Sequence, residues 1–405
     1  MKKTLVALAA LAATSAFAQS SVTITGAVDV AYADKQVSAA TGANLISAKG
    51  IAEGQNTANR LNFDIREDLG GGLKAQAMFE TGLNITNVAL LTSRAAAAGP
   101  NVVSPASSGQ VATSTSADIP TGAYSTASQN RQSYVGLTGG FGEVRVGYQR
   151  TNLYEQATYS GYLVGQEQFG GFLHTLGQAS FGGTRSNAIT YITPKYNGFS
   201  ATVQVGSGVD RESFSTDTAT GINGYTSIDA KRNAIKVDYA NGPLNATYGR
   251  TEYTEKKVAG TTTTVADIYG VVSATAAAST DFKGTVDQFT GSYDIGSLKL
   301  TGQYLKGTKD LASGNDLTYK ATVLGGIYTM GNAAFFAMSG NGTIDTAGTA
   351  AHTNDYTSTQ YGVRYSLSKR TIAYAMRGES KDKAQTSATA TYKGTVTAIG
   401  LAHSF

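Results

Sequence analysis

Cysteine is absent from all 405 residues. Disulfides, thiolate metal sites and cysteine nucleophiles are excluded together. Proline is scarce, at five, and only 15% of residues are Asp, Glu, Lys or Arg. The formal net charge is +4, falling to +2 (4 − 2) once Lys2 and Lys3 are set aside with the leader. No basic stripe accompanies that balance, so nucleic acid is not an expected partner. Beyond the N-terminus no segment approaches the ~20 consecutive apolar residues of a membrane-crossing helix. Histidine numbers three: His174 and His352 fall in loops, and His403 shares the apolar parity of the closing strand with Leu401 and Phe405. None has a serine or carboxylate at a recognisable spacing, so hydrolase chemistry is not expected. The run Gly70-Gly71-Gly72-Leu73-Lys74 lacks the Ser/Thr of a phosphate-binding loop and leads into a strand where that site needs a helix. The acidic spacing matches no calcium loop either. These absences point away from an enzyme, a cofactor or a metal site.

What is present is a repeated hairpin. From Arg60, the side chains Leu61, Phe63 and Ile65 alternate with Asn62, Asp64 and Arg66. The chain reverses at Gly70 to Gly72, and Leu73, Ala75, Ala77 and Phe79 then alternate with Lys74, Gln76, Met78 and Glu80. This is a β-hairpin with one apolar and one charged face. The unit recurs around turns at Gly139 to Gly142, Asn197-Gly198, Asn241 to Pro243, Gly296, Gly331-Asn332 and Ser368 to Arg370. Seven hairpins make fourteen strands (2 × 7). A leading strand from Ser21 to Tyr32 and a closing one ending at Phe405 bring the total to about sixteen. An even number lets first and last strands pair antiparallel and removes both edges.

The first residues read as an export signal: Lys2 and Lys3, an apolar centre from Leu5 to Ala13, and Ala16-Phe17-Ala18 before a mature start at Gln19. Residues 19–405 then form one domain, because the hairpin rhythm runs through without a change in composition. Export without a helical anchor leaves a soluble secreted β-protein or an outer-membrane barrel, since only helices and closed barrels satisfy the backbone in lipid. Even strand number, alternation and tyrosines near strand ends favour an all-β, transmembrane antiparallel barrel with short periplasmic turns and long external loops. Asp34 to Asn56 is read as a polar loop, and Asn84 to Ser128, rich in Ala, Ser and Thr, as a long external one.

Six ordered segments carry a resemblance beyond the leader: SVTITGAVD from Ser21, RLNFDIREDLGGGLKA from Arg60, RQSYVGLTGGFGEVRVGYQ from Arg131, NAITYITPKYNGFS from Asn187, YSLSKRT from Tyr365 and GLAHSF ending at Phe405. Together they resemble the general porins of Gram-negative bacteria, β-proteobacterial type, across nearly all of the hairpin framework. The resemblance implies a sixteen-stranded barrel in the outer membrane, a homotrimer among outer-membrane lipid and lipopolysaccharide. It implies passive diffusion of small hydrophilic solutes and ions, with Phe405 as an insertion signal. It also implies that the third long connection, Gln149 to Arg185, folds into the lumen. That connection carries Glu155, Glu167, His174 and the aromatics Tyr154, Tyr159, Tyr162, Phe169, Phe172 and Phe181.

Parity aims Arg60, Asp64, Arg66, Lys74, Glu80, Glu143 and Arg145 at the lumen. The resemblance places wall arginines at Arg60 and Arg131, and more loosely at Arg185. The expected constriction therefore sets a basic wall of Arg60, Lys74, Arg131, Arg145 and Arg185 against Glu80, Glu155 and Glu167. A mostly basic wall leans towards weak anion preference. The alternatives are a substrate-specific channel, for sugars or small anions, with aromatics of the third connection as its path, and the secreted binding protein.

Overall fold

In a computed structural model the described residues are 20–39, 44–83, 85, 130–159, 185–206, 211–216, 223–262, 275–311, 316–346, 354–384 and 391–405. The leader and Asn84 to Ser128, apart from residue 85, lie outside them, as do Glu167, His174 and His352.

The strands are β1 (Ser21–Ala39), β2 (Asn44–Glu53), β3 (Arg60–Gly70), β4 (Leu73–Gly82), β5 (Asn130–Gly139), β6 (Gly142–Arg150), β7 (Arg185–Ile192), β8 (Phe199–Gly206) and β9 (Arg211–Thr216). They continue as β10 (Asn223–Asn241), β11 (Leu244–Thr262), β12 (Thr275–Ile295), β13 (Leu298–Leu311), β14 (Leu317–Met330), β15 (Ala333–Thr346), β16 (Asn354–Ser366), β17 (Thr371–Ala384) and β18 (Thr391–Ser404). A helix, α1 (Asn152–Tyr159), follows β6. All eighteen strands belong to one antiparallel sheet in which β1 pairs with β18 from Ala27↔Ser404 to Ala39↔Tyr392. Two wall positions are shared by split strands that follow one another along a neighbour: β3 pairs with residues 21–27 of β1 and β2 with residues 30–38, while β9 pairs with residues 223–228 of β10 and β8 with residues 232–239. Eighteen segments thus make sixteen wall positions (18 − 2), and the barrel is closed.

Turn chemistry explains the hairpins. At Asn197-Gly198 both residues have positive φ, 47° and 88°, the combination whose twist matches that of paired strands. Gly70, Gly71 and Gly72, with φ of 84°, 61° and 81°, reverse β3 into β4. These short turns share one rim with Ser21 and Phe405, and the long connections share the other. The terminal residue closes the seam: Gly26 and Phe405 exchange backbone bonds of 3.0 and 3.1 Å.

Side chains sort by parity. Leu324, Ile399 and Val135 are 65%, 66% and 62% exposed on the outer face, part of an apolar belt suited to lipid. The opposite parity is buried: Val286, Leu305, Tyr319, Val323, Met338 and Tyr356 form a cluster on the inner side of β12 to β16. The lumen wall therefore varies around the barrel: this apolar cluster is interleaved with buried Gln288, Gln303 and Gln360, whereas β3 to β6 carry ion pairs. One sequence expectation is revised. Most of Asp34 to Asn56 is paired β1 and β2 sheet, with Val30↔Glu53 through Ser38↔Asn44, because polar strands can rise above the lipid belt and still satisfy their backbone.

Replacing Leu324 by Arg should cost roughly 2–4 kcal/mol of unfolding stability, as for a cation at bilayer mid-depth. Urea unfolding in lipid vesicles reads this, and an unchanged midpoint would contradict an outward Leu324.

Candidate functional site

The charged wall is organised around Glu80. Even-numbered residues of β4 face inwards, and the register places Glu80 opposite Asn62 of β3 and Gln132 of β5. Its carboxylate, 2% exposed, accepts from Arg131 Nε at 2.6 Å, Gln132 Nε2 at 2.7 Å and Arg150 Nη2 at 2.7 Å. Arg60 lies within electrostatic reach of Glu80, Arg131 and Arg150. Its own Nη1 donates to Thr57 Oγ1 and to the Ala58 carbonyl, both at 3.0 Å. Three guanidinium groups gather about one carboxylate, a local charge of +2 (3 − 1). Such charge-assisted contacts fix geometry as well as sign.

A second tier lies nearer the short turns. Glu143 accepts from both Arg145 and Gln76, and the Arg145 guanidinium stands 5.1 Å from the Tyr134 ring centre. Arg66 bonds Asp64 through two contacts of 3.0 Å. Lys74 is exposed beside the Gly71-Gly72 turn, opposite Asp68 and Thr138. It stands six residues from Glu80, about 20 Å along the strand.

The helix α1 places the described start of the third connection inside, while residues 160–184 lie outside the described residues. Thr151 caps it, accepting from Tyr154 N at 3.2 Å, and Asn152 N donates to Gln204 Oε1 at 3.3 Å. Gln156 donates to the Thr247 and Gln288 carbonyls of β11 and β12 at 3.1 and 2.8 Å, entering the gap left by Gly249. Leu153 joins the inner apolar cluster. Glu155 thereby faces an open cavity of about 360 Å³ that Tyr134, Arg145, Arg150, Lys236 and Asp238 also line. Lys236 and Asp238 of β10 pair at 3.0 Å on its far side.

The expected site residues are thus brought together in part. Arg60, Glu80 and Arg131 form one cluster, with Glu80 inside the basic group. Arg145 and Glu155 share the cavity. Arg185 pairs in register with Arg150 at the start of β7. Lys74 sits apart at the rim, and Glu167 lies outside the described residues. Sequence reading passed over Arg150, Lys236 and Asp238. Arg150 carries the outward parity of Val146 and Tyr148, yet at the last residue of β6 its guanidinium reaches in. Lys236 and Asp238 showed the alternation, without a signal of which lumen charges meet. Among the described residues no His/Cys/Asp/Glu group is arranged to hold a metal.

Comparison with known proteins agrees with the barrel fold. Residues 4–385 match the family described as Gram-negative porin. The chain is 30% identical over 323 residues to outer membrane porin protein 32 of Delftia acidovorans, covering 76% of this chain and 75% of that protein. It is 25% identical to a major outer membrane protein P.IB of Neisseria gonorrhoeae, over 96% of this chain and 98% of the other. Among solved structures, the anion-selective porin from Comamonas acidovorans superposes with a TM-score of 0.63 at 22% identity, over 96% of this chain and all of that one.

Glu80→Gln removes the one carboxylate that Arg131 and Arg150 share. It should lower unfolding stability by roughly 1–3 kcal/mol, the cost of leaving buried donors unpaired, while the barrel still assembles. Chemical unfolding followed by tryptic accessibility of the folded band reads this. Wild-type stability would show that the cluster is not held by Glu80.

Proposed function

We propose, from the premise that this chain belongs to the Gram-negative porin family, that its diffusion channel prefers anions weakly and that the preference is set by the cluster around Glu80. As an outer-membrane porin the protein passes small hydrophilic solutes and ions passively across that membrane, and a fixed water-filled lumen needs no energy source. The observation that carries the preference is the excess of guanidinium over carboxylate, Arg60, Arg131 and Arg150 against Glu80. At a partly dehydrated constriction such charges act at reduced dielectric; a pair 4 Å apart interacts by about 4 kcal/mol at an effective dielectric of 20. Arg145, Arg150, Glu155, Lys236 and Asp238 bring charges of both signs to one cavity, so a permeating ion or dipole meets a local field there.

The same reading extends to processing and assembly. The leader 1–18 is removed on export, Phe405 serves insertion, and the mature barrel works as a homotrimer. Its wall supports contact with lipopolysaccharide. Lys306 and Lys320 share the outward parity of Tyr304 and Leu324 on their strands and lie one or two positions nearer the long-loop rim. Cationic groups at that height meet the phosphates of an anionic glycolipid.

In a planar bilayer under a potassium chloride gradient, wild type should give a zero-current potential of anionic sign. The double variant Arg60→Gln with Arg131→Gln should move it to the cation side without abolishing conductance. An unchanged potential would remove the cluster from selectivity. Working at about 1 M salt, where the Debye length is ~3 Å, should shrink the wild-type preference; one that persisted undiminished would mean size rather than charge selects.

A further inference from the structure

Between β2 and β3 the chain leaves the wall, and residues 54–59 wind inwards as a buried turn, with Gln55, Asn56 and Asn59 all under 9% exposed. The turn is built on Asp29 of β1, itself fully buried and flanked on its face by Ala27 and Ala31. Asp29 Oδ2 accepts from Asn56 N at 2.5 Å and Thr57 N at 2.7 Å, and Oδ1 from Tyr374 Oη at 2.5 Å. Its backbone N donates to Asn59 Oδ1 at 2.6 Å, and its carbonyl accepts from Gly54 N at 3.1 Å. Tyr374 reaches it from β17 by lying across Gly400 of β18, where a Cβ would stand 2.5 Å from the phenol oxygen. Arg364 is the nearby cation. A wall position needs no carboxylate here, and burying one is costly unless its acceptors are filled. These are filled mainly by the turn.

We propose that Asp29 is a positioning residue for pore selectivity, acting through the 54–59 turn to hold Arg60 in the constriction. This rests on the channel reading above. The Glu80 carboxylate is engaged by Arg131, Arg150 and Gln132. Arg60 stands beside those two arginines, which repel it, and near Glu80, which attracts it without a hydrogen bond between them; its own hydrogen bonds go to two neutral acceptors, Thr57 Oγ1 and the Ala58 carbonyl. Both belong to the turn that Asp29 organises. A long side chain under repulsion, with ~2 kcal/mol of rotamer entropy to regain, leaves its place once those acceptors move. Glu53 braces the far end of the turn, accepting from Asn59 Nδ2 and Ile85 N, both at 2.9 Å.

Direct and positional effects of Asp29 have opposite signs. Loss of its negative charge alone makes the lumen more positive and moves the zero-current potential towards anions; release of Arg60 moves it towards cations. The test is the bilayer potential of Asp29→Asn and of the charge-neutral Thr57→Val, each in the wild-type and Arg60→Gln backgrounds, on barrels verified as folded by heat-modifiable migration. The expected result is a shift towards cations in both single variants, most of it lost when Arg60 is already Gln. Asp29→Asn moving towards anions, or either folded variant leaving the potential unmoved, overturns the proposal. So does an equal shift in both backgrounds. If Asp29→Asn fails to fold, Thr57→Val decides alone. Folded wild type that conducts nothing would overturn the channel reading and this one together, whereas conducting wild type confines a failure to Asp29.

Discussion

Lipid gives a peptide group nothing to bond, and this constraint governs the molecule. A sheet in that medium must pair every strand on both sides, so it closes. Closure here is the β1 to β18 ladder, completed at the short-turn rim by the Gly26 and Phe405 exchange. A second fastening crosses the same seam from inside: Tyr374 of β17 spans Gly400 to bond Asp29 of β1. Strand alternation follows from the same demand, since a wall one residue thick has to offer apolar groups to lipid and the other parity to the lumen.

What fills the lumen decides what crosses it. On β11 to β16 the buried inward side chains mix an apolar cluster with neutral polar groups such as Gln288, Gln303 and Gln360, and α1 docks against this wall through Leu153 and Gln156. The charged groups that line the cavity come from β6, α1 and β10: Arg145, Arg150, Glu155, Lys236 and Asp238. The arginines around Glu80 begin or end strands and are held by contacts to Glu80 and the 54–59 turn. A charge pattern mounted on sheet keeps its geometry as solutes pass, which is what a passive filter requires.

Much of this was legible in the residues. Glycine turns and strict alternation give hairpins, parity and an even strand number, because a period of two is visible wherever one face meets lipid. Parity also placed Glu80 and Arg145 inside. It left Arg131 open and did not single out Arg150, because both sit near strand ends, where a long side chain on the outward parity is free to turn back over the rim. Asp34 to Asn56 read as a loop since its strands carry few apolar groups, and the Asp29 turn was hidden because its bonds join residues some 30 positions apart. Lys74 had the right parity and the wrong height, a coordinate that alternation does not encode.

Since the chain has no cysteine, one introduced thiol reports its own surroundings alone. The most direct test of the account is single-channel current during reaction of Lys236→Cys with a charged methanethiosulfonate, beside Leu324→Cys as the outward control. Lys236 lines the same cavity as Arg145, so its modification should reduce the current in steps and shift the reversal potential with the sign of the attached charge, while modification at 324 leaves both unchanged. Current indifferent to charge at position 236 would contradict a conduction path through this constriction.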